Sequence, residues 1–319
     1  MDNGVDAGIL VWVGFNLVVL GLLALDLGVF HRHAHAVTVR EAATWSVVWV
    51  ALSLAFAAGI FITSGSEPGL AFLTGYVIEK SLSVDNIFVF VLLFSFFAVP
   101  AELQHRVLFW GVLGALIMRG ILIGVGSVLL HEFHWIIYVF GAVLIFSGIR
   151  MATAGEKKTV DIEGNLAVRL LRRLTPISNE YDGPKFFTVK NGVRMATPLF
   201  LVLVVVETTD LIFAVDSIPA IFAVTDDPFL VYTSNVCAIL GLRAMYFLLA
   251  GVVNKFHYLS IGLSVILVWV GTKMLLTDIY KVPIPLSLAV IAAILTVAIG
   301  ASLLRPKHEA EAAHTPTAH

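Results

Sequence analysis

Residues 204–225 read VVVETTDLIFAVDSIPAIFAVT, an apolar run of membrane-crossing length that carries Glu207, Asp210 and Asp216. An acid at the centre of a bilayer costs about 2.5–3.5 kcal/mol on insertion scales. A span holding three acids is stable only where neighbouring helices or a bound cation meet the charge. That requirement points to a polytopic bundle. Composition agrees: 59% of the 319 residues are hydrophobic and 13% charged. Soluble globular chains carry about 25% charged residues.

Nine apolar stretches have the length of membrane helices, near 8–30, 42–63, 70–98, 107–130, 135–153, 198–224, 229–250, 258–277 and 284–304. The expected fold class is therefore all-α, a polytopic membrane protein of about nine transmembrane helices. Residues 1–154 would form a first membrane half and 197–305 a second. Between them lies a polar, basic connection, 155–196. Its middle, NLAVRLLRRL, reads either as an ordinary linker or as a short amphipathic helix at the membrane surface. The tail, 306–319, reads as disordered. Asp2 and Asp6 leave no basic region at the N-terminus, so the first span is expected to act as a signal anchor. The single cysteine, Cys237, excludes an intramolecular disulfide and a cysteine-cluster metal site.

Lys and Arg placement sets an expected orientation. With the N-terminus outside, the inside connections hold Arg32, Arg40, Arg106, Lys157, Lys158, Arg169, Arg172, Arg173 and Lys255, among others. The outside connections hold only Lys281, beside Glu67, Glu132, Asp226, Asp227 and Asp278. The positive-inside rule then puts the N-terminus in the periplasm and the basic connection and C-terminus in the cytoplasm.

The chain also repeats. VIEKSLSVDNIF in the third span resembles VVETTDLIFAVDSI in the sixth, with Asp85 opposite either Asp210 or Asp216. Arg119 recurs as Arg243, and Arg150 in SGIRM recurs as Lys273 in VGTKM. The offset drifts from 125 (Asp85 to Asp210) through 124 (Arg119 to Arg243) to 123 (Arg150 to Lys273), as a duplication with small deletions would give. Copies of three spans, about 70–153 and 198–277, make the second copy inverted. Inverted three-plus-three repeats are a transporter architecture with a midplane site on interrupted helices. Glu207 and Asp210 share a helix face, but Asp216 lies about 240° round from Asp210, and Asp85 from Glu79. A break in each helix is expected to bring them together, and Pro219 lacks the amide for one helical bond.

The expected site is five carboxylates, Glu79, Asp85, Glu207, Asp210 and Asp216, with Ser83, Asn86 and Ser217 as neighbours and Lys80, Arg119 and Arg243 as counterions. Like charges so gathered need protons or cations. The donors are hard oxygens, which favour Mg, Ca or Mn over Zn or Cu. The competing reading has the acids only locking helices together through Lys80, Arg119 and Arg243. Asp26 is a candidate cytoplasmic entrance, or an acid reaching the interface at a helix end. The histidines of HRHAHA (His31, His33, His35) are a candidate pH or metal sensor, or a solvated turn.

EKSLSVDN with VETTDLIFAVDSIPA, supported by LALDLGVF, HRHAHAVTVREA and the long central connection, resembles the TerC/Alx family of bacterial integral membrane proteins, on its Alx side. That resemblance implies manganese export across the inner membrane and a link to tellurium resistance. It carries the acidic positions over as Glu79, Asp85, Glu207, Asp210 and Asp216. Manganese comes from the resemblance alone. Carboxylate chemistry leaves calcium and magnesium open.

The expected activity is thus secondary transport through the lipid bilayer, with protons as a possible coupling ion and no tightly bound cofactor. A non-transporting metal or pH-stress sensor, or a partner in a tellurite-resistance complex, is the alternative. An enzyme is not expected. HEFH at 131–134 has the wrong spacing for a zinc protease, and the chain has no P-loop. A nucleic-acid partner is not expected either.

Overall fold

The structure, a computed structural model, describes residues 8–30, 38–133, 135–153, 166–190, 192–250, 258–280 and 282–304, and of residues 26–30, 85, 88 and 166 the backbone only. Asp26 and Asp85 are therefore positions on helices. The histidines at 31, 33 and 35 and the tail at 306–319 lie outside the described residues.

Helices occupy each expected apolar stretch: α1 (Ile9–Phe30), α2 (Val39–Ser64), α3 (Ser66–Phe96), α4 (Ala101–Glu132), α5 (Ile136–Thr153), α7 (Pro198–Phe222), α8 (Pro228–Leu240) with α9 (Leu242–Leu249), α10 (Leu259–Leu275) and α11 (Ile284–Leu304). Among the described residues, α2, α4, α5, α7 and α11 are each long and apolar enough to cross a membrane, and α8 with α9, bent by 40° at their junction, brings the number to six if the pair is one span. The apolar parts of α1 and α10 are shorter. The 31-residue α3 carries Glu67, Glu79, Lys80 and Asp85. Its Glu79, Ser83 and Asn86 are buried by neighbouring helices. Outer faces expose Ile62, Phe146 and Val297. Lipid accommodates such apolar surface, and water does not.

The packing shows the inversion. Along α3 and α8 the contacts advance together, Gly75 on Ser234 and Lys80 on Ala238, so these helices run parallel. Gly111 on Val206 and Gly126 on Phe222 make α4 parallel to α7. The short turn at 97–100 reverses α4 relative to α3, so α7 runs against α3. Gly141 meets Gly271 and Gly148 meets Ser264, so α5 and α10 are antiparallel. At the sequence offset of 123, Gly141 corresponds to Ser264 and Gly148 to Gly271. Exchanging the copies therefore turns one of these contacts into the other, the signature of a local two-fold axis between α5 and α10.

One expectation is corrected. Neither α3 nor α7 is broken: both are continuous through their acids. Pro219 falls in the last turn of α7, where few helical bonds depend on it. The interruption lies at Gly241, between α8 and α9. A Cβ there would stand 2.9 Å from Lys80 Nζ and 3.1 Å from the Trp49 Cβ. Lys80 donates to the Ala238 carbonyl at 3.1 Å, meeting an acceptor in the last turn of α8.

The described part of the basic connection is folded. It holds α6 (Leu166–Leu174) and an antiparallel hairpin, β1 (Phe187–Lys190) with β2 (Val193–Ala196), in register Phe187 to Ala196 and Lys190 to Val193. Tyr181 donates its hydroxyl to the Phe97 carbonyl (2.7 Å), and Thr197 to that of Lys185 (2.8 Å). The element thus sits against the C-terminal end of α3 and the N-terminal end of α7.

Candidate functional site

Arg119 is a charged side chain fully inside an apolar bundle, 1% exposed. Such a cation persists only if carboxylates and further acceptors satisfy its fork of donors. Its α4 position lies against α7, and the fork meets Asp210 there. Nε donates to Oδ2 at 3.1 Å and a terminal nitrogen to Oδ1 at 3.0 Å. The other terminal nitrogen binds Glu79 on α3 and reaches Asn235 Oδ1 at 3.1 Å and Ser217 Oγ at 3.3 Å. Asn235, on α8, closes the ring by donating from Nδ2 to Glu79 Oε2 at 3.1 Å.

Four helices therefore converge on one guanidinium. Glu79 and Asn235 are completely buried, Ser217 is 1% exposed and Asp210 is 3% exposed. Two carboxylates facing one guanidinium leave one formal negative charge. The same oxygens, two carboxylates with an amide and a hydroxyl, are hard donors suited to a divalent cation.

The other expected acids stand elsewhere, and helix continuity is the reason. Because α7 is unbroken, Asp216 stays about 240° round from Asp210. It faces α5, where Ser147 donates to it at 2.6 Å. Glu207, one turn before Asp210, packs on the bare backbone of Gly114, and a side chain at Gly114 would overlap its carboxylate. Glu207 Oε2 is buried without a hydrogen-bond partner. The same carboxylate borders a cavity of about 270 Å³ lined by Met118, Phe200, Leu203, Val204, Thr208 and Leu211. Asp85 is a position on unbroken α3, about 240° round from Glu79. Among the described residues no three acids, histidines or cysteines stand together as a metal cluster. Of the expected gathering of five, Glu79 and Asp210 form a pair, Glu207 and Asp216 stand in separate surroundings, and of Asp85 only the backbone is described.

Of the neighbours, Ser217 joins the ring, and Ser83 and Asn86 are buried on α3. Arg243 is buried on α9. Lys80, expected as a counterion, lies in the electrostatic field of Glu79 and donates to the Ala238 carbonyl of α8. Asn235 and Ser147 were not anticipated. The available signal was a lone amide within an apolar span, VYTSNVCAIL, where a buried polar group requires partners.

Residues 64–310 match the family described as integral membrane protein TerC. An uncharacterized membrane protein of Myxococcus xanthus, STKORF319, is 56% identical over 297 residues, covering 93% of each chain. The Escherichia coli K12 relative described as "putative membrane-bound redox modulator Alx" is 55% identical over 295 residues, covering 90% of this chain and 92% of that one. A Rickettsia bellii membrane protein is 37% identical over 294 residues, covering 92% of this chain and 97% of its own. No solved structure matches.

Proposed function

Because this chain belongs to the TerC family of integral membrane proteins, we propose that it is a secondary transporter exporting a divalent cation, manganese ahead of calcium or magnesium, across the bacterial inner membrane. The single observation that carries the reading is the buried ring in which Arg119 bridges Glu79 and Asp210 across the two inverted copies. A guanidinium is the internal substitute for a cation at those oxygens. A divalent ion bound by Glu79, Asp210, Asn235 Oδ1 and Ser217 Oγ requires Arg119 to withdraw, since the guanidinium occupies the space between those oxygens and would repel a second cation there. Exchange with an internal arginine would keep the two carboxylates from standing together with no cation at all when the cargo has left. The manganese assignment rests on family resemblance.

Proton coupling draws support from Glu207. Its buried, unpartnered oxygen and apolar cavity suit the neutral acid, and ionisation there would require a cation or a donor to arrive. Separate sites for cargo and proton within one turn of α7 permit exchange of one for the other.

The test is flux. Full-length protein in liposomes is expected to move Mn2+ without ATP, faster with an opposing proton gradient, and to stop moving it in Glu79→Gln and Asp210→Asn. Mn2+ binding without movement would instead favour a metal-dependent sensor, a reading the folded 166–196 element suits as an output surface.

A further inference from the structure

The geometry points to the α6–hairpin element as a lipid-anchored platform whose Arg169, Arg172 and Arg173 hold anionic phospholipid headgroups. The three arginines lie three and four residues apart, so they share one face of α6. All three are exposed, while Val168 is buried and Leu171 packs against the cluster formed by α3, α4 and α7. Docking is thereby fixed, and the basic face is turned away from the bundle. Leu170 (55% exposed) and Leu174 (74%) flank that face, one helical turn apart. Arginines beside exposed leucines suit the boundary between headgroups and acyl chains.

A second observation fixes the depth. Phe186 and Phe187 of the same element pack on rings near the starts of α4 and α7. Phe186 meets Trp110 of α4 edge-on at 6.4 Å, and Phe187 lies 4.7 Å from Phe200 of α7. Arg106 stands over Phe186 at 5.1 Å and Arg194 over Phe187 at 4.8 Å. Trp110 near the start of α4, with Arg106 and Arg194 over the neighbouring phenylalanines, is the residue chemistry favoured at a membrane–water interface. Among the described residues of this element the acids are matched by lysines, Glu180 by Lys190 at 2.7 Å and Asp182 by Lys185 at 3.2 Å. The exposed arginine face of α6 therefore suits charge from outside the element, and at a bilayer surface that charge is phosphate of the adjoining leaflet. The inference needs the chain to be in a membrane and does not depend on transport.

The test uses full-length protein in detergent, mixed with phosphatidylglycerol or phosphatidylcholine and assayed for retained lipid by native mass spectrometry. Wild type is expected to retain phosphatidylglycerol preferentially. The triple change Arg169→Gln, Arg172→Gln, Arg173→Gln is expected to weaken that retention by about 100-fold, from about fivefold per basic residue near a surface. The triple Arg→Lys variant keeps the charge and should keep most of the retention, which separates lipid binding from loss of fold. Equal retention of both lipids by wild type, or unchanged retention in the Gln variant, overturns the inference. So does displacement of phosphatidylglycerol by millimolar inorganic phosphate, which would mark a site for the free anion.

Discussion

Gly141 on α5 and Gly271 on α10 meet backbone to backbone: a Cβ on the first would stand 2.9 Å from the Gly271 oxygen, and one on the second 2.6 Å from the Gly141 oxygen. The partner in each case is main chain, which cannot rotate aside. Adding one methyl must therefore push two helices apart. Gly271→Ala is expected to destabilise the protein by about 1–3 kcal/mol, the usual cost of overpacking. Gly124→Ala, with nothing within 4 Å of its Cβ position, is the control. Thermal unfolding in detergent checks this. Equal midpoints for both variants would sink the two-fold contact as a fixed joint.

Arg119 neutralised is the sharpest test of the ring. Arg119→Gln leaves Glu79 and Asp210 facing each other without a cation, and breaking a buried pair this way costs about 3–5 kcal/mol. If the same oxygens bind the cargo, millimolar Mn2+ should restore the unfolding midpoint of this variant more than it raises that of wild type. A variant destabilised equally with and without Mn2+ would assign the ring to helix locking alone.

Glu207→Gln should behave differently. An amide replaces an oxygen that has no partner, so midpoint and abundance are expected to stay close to wild type. The gain in Mn2+ flux from a proton gradient should vanish. A gradient response equal to wild type would remove Glu207 from proton coupling.

Acid should loosen the hairpin element before the bundle. Hydrogen bonding from Lys190 holds the Glu180 carboxyl below its ordinary value, and Thr188, then Lys185, does the same for Asp182. With folded values depressed, the unfolded segment binds protons first. The contribution is complete above the ordinary carboxylate range and disappears as pH falls through the folded values. Both side chains are exposed, so the effect is small. Amide exchange at Val189 and Val193, corrected for its intrinsic pH dependence, is expected to quicken below about pH 4. Protection that holds or rises on acidification would contradict it.

By itself, the sequence determined the membrane class, the positions of the helices, the duplication and its inversion. Each follows from properties that act along the chain: long apolar runs, an offset that drifts slowly from Asp85–Asp210 to Arg150–Lys273, and an odd number of spans per copy. The hairpin was not read from the sequence, where the basic connection offered only a linker or a short amphipathic helix; its strands, Phe187–Lys190 and Val193–Ala196, are four residues each, too short for an alternating pattern to stand out. Which acids meet was not legible. Spacing placed Asp216 about 240° from Asp210, and whether that gap closes depends on whether α7 breaks. Tertiary structure decided that it does not, and that Gly241 breaks instead, where Trp49 crowds the backbone and Lys80 takes up the Ala238 carbonyl. Tertiary structure likewise drew Asn235 into the ring beside Arg119. Pairings between residues as far apart in the chain as Glu79 and Asn235 arise only when helices from both copies pack together, and no local pattern carries that information.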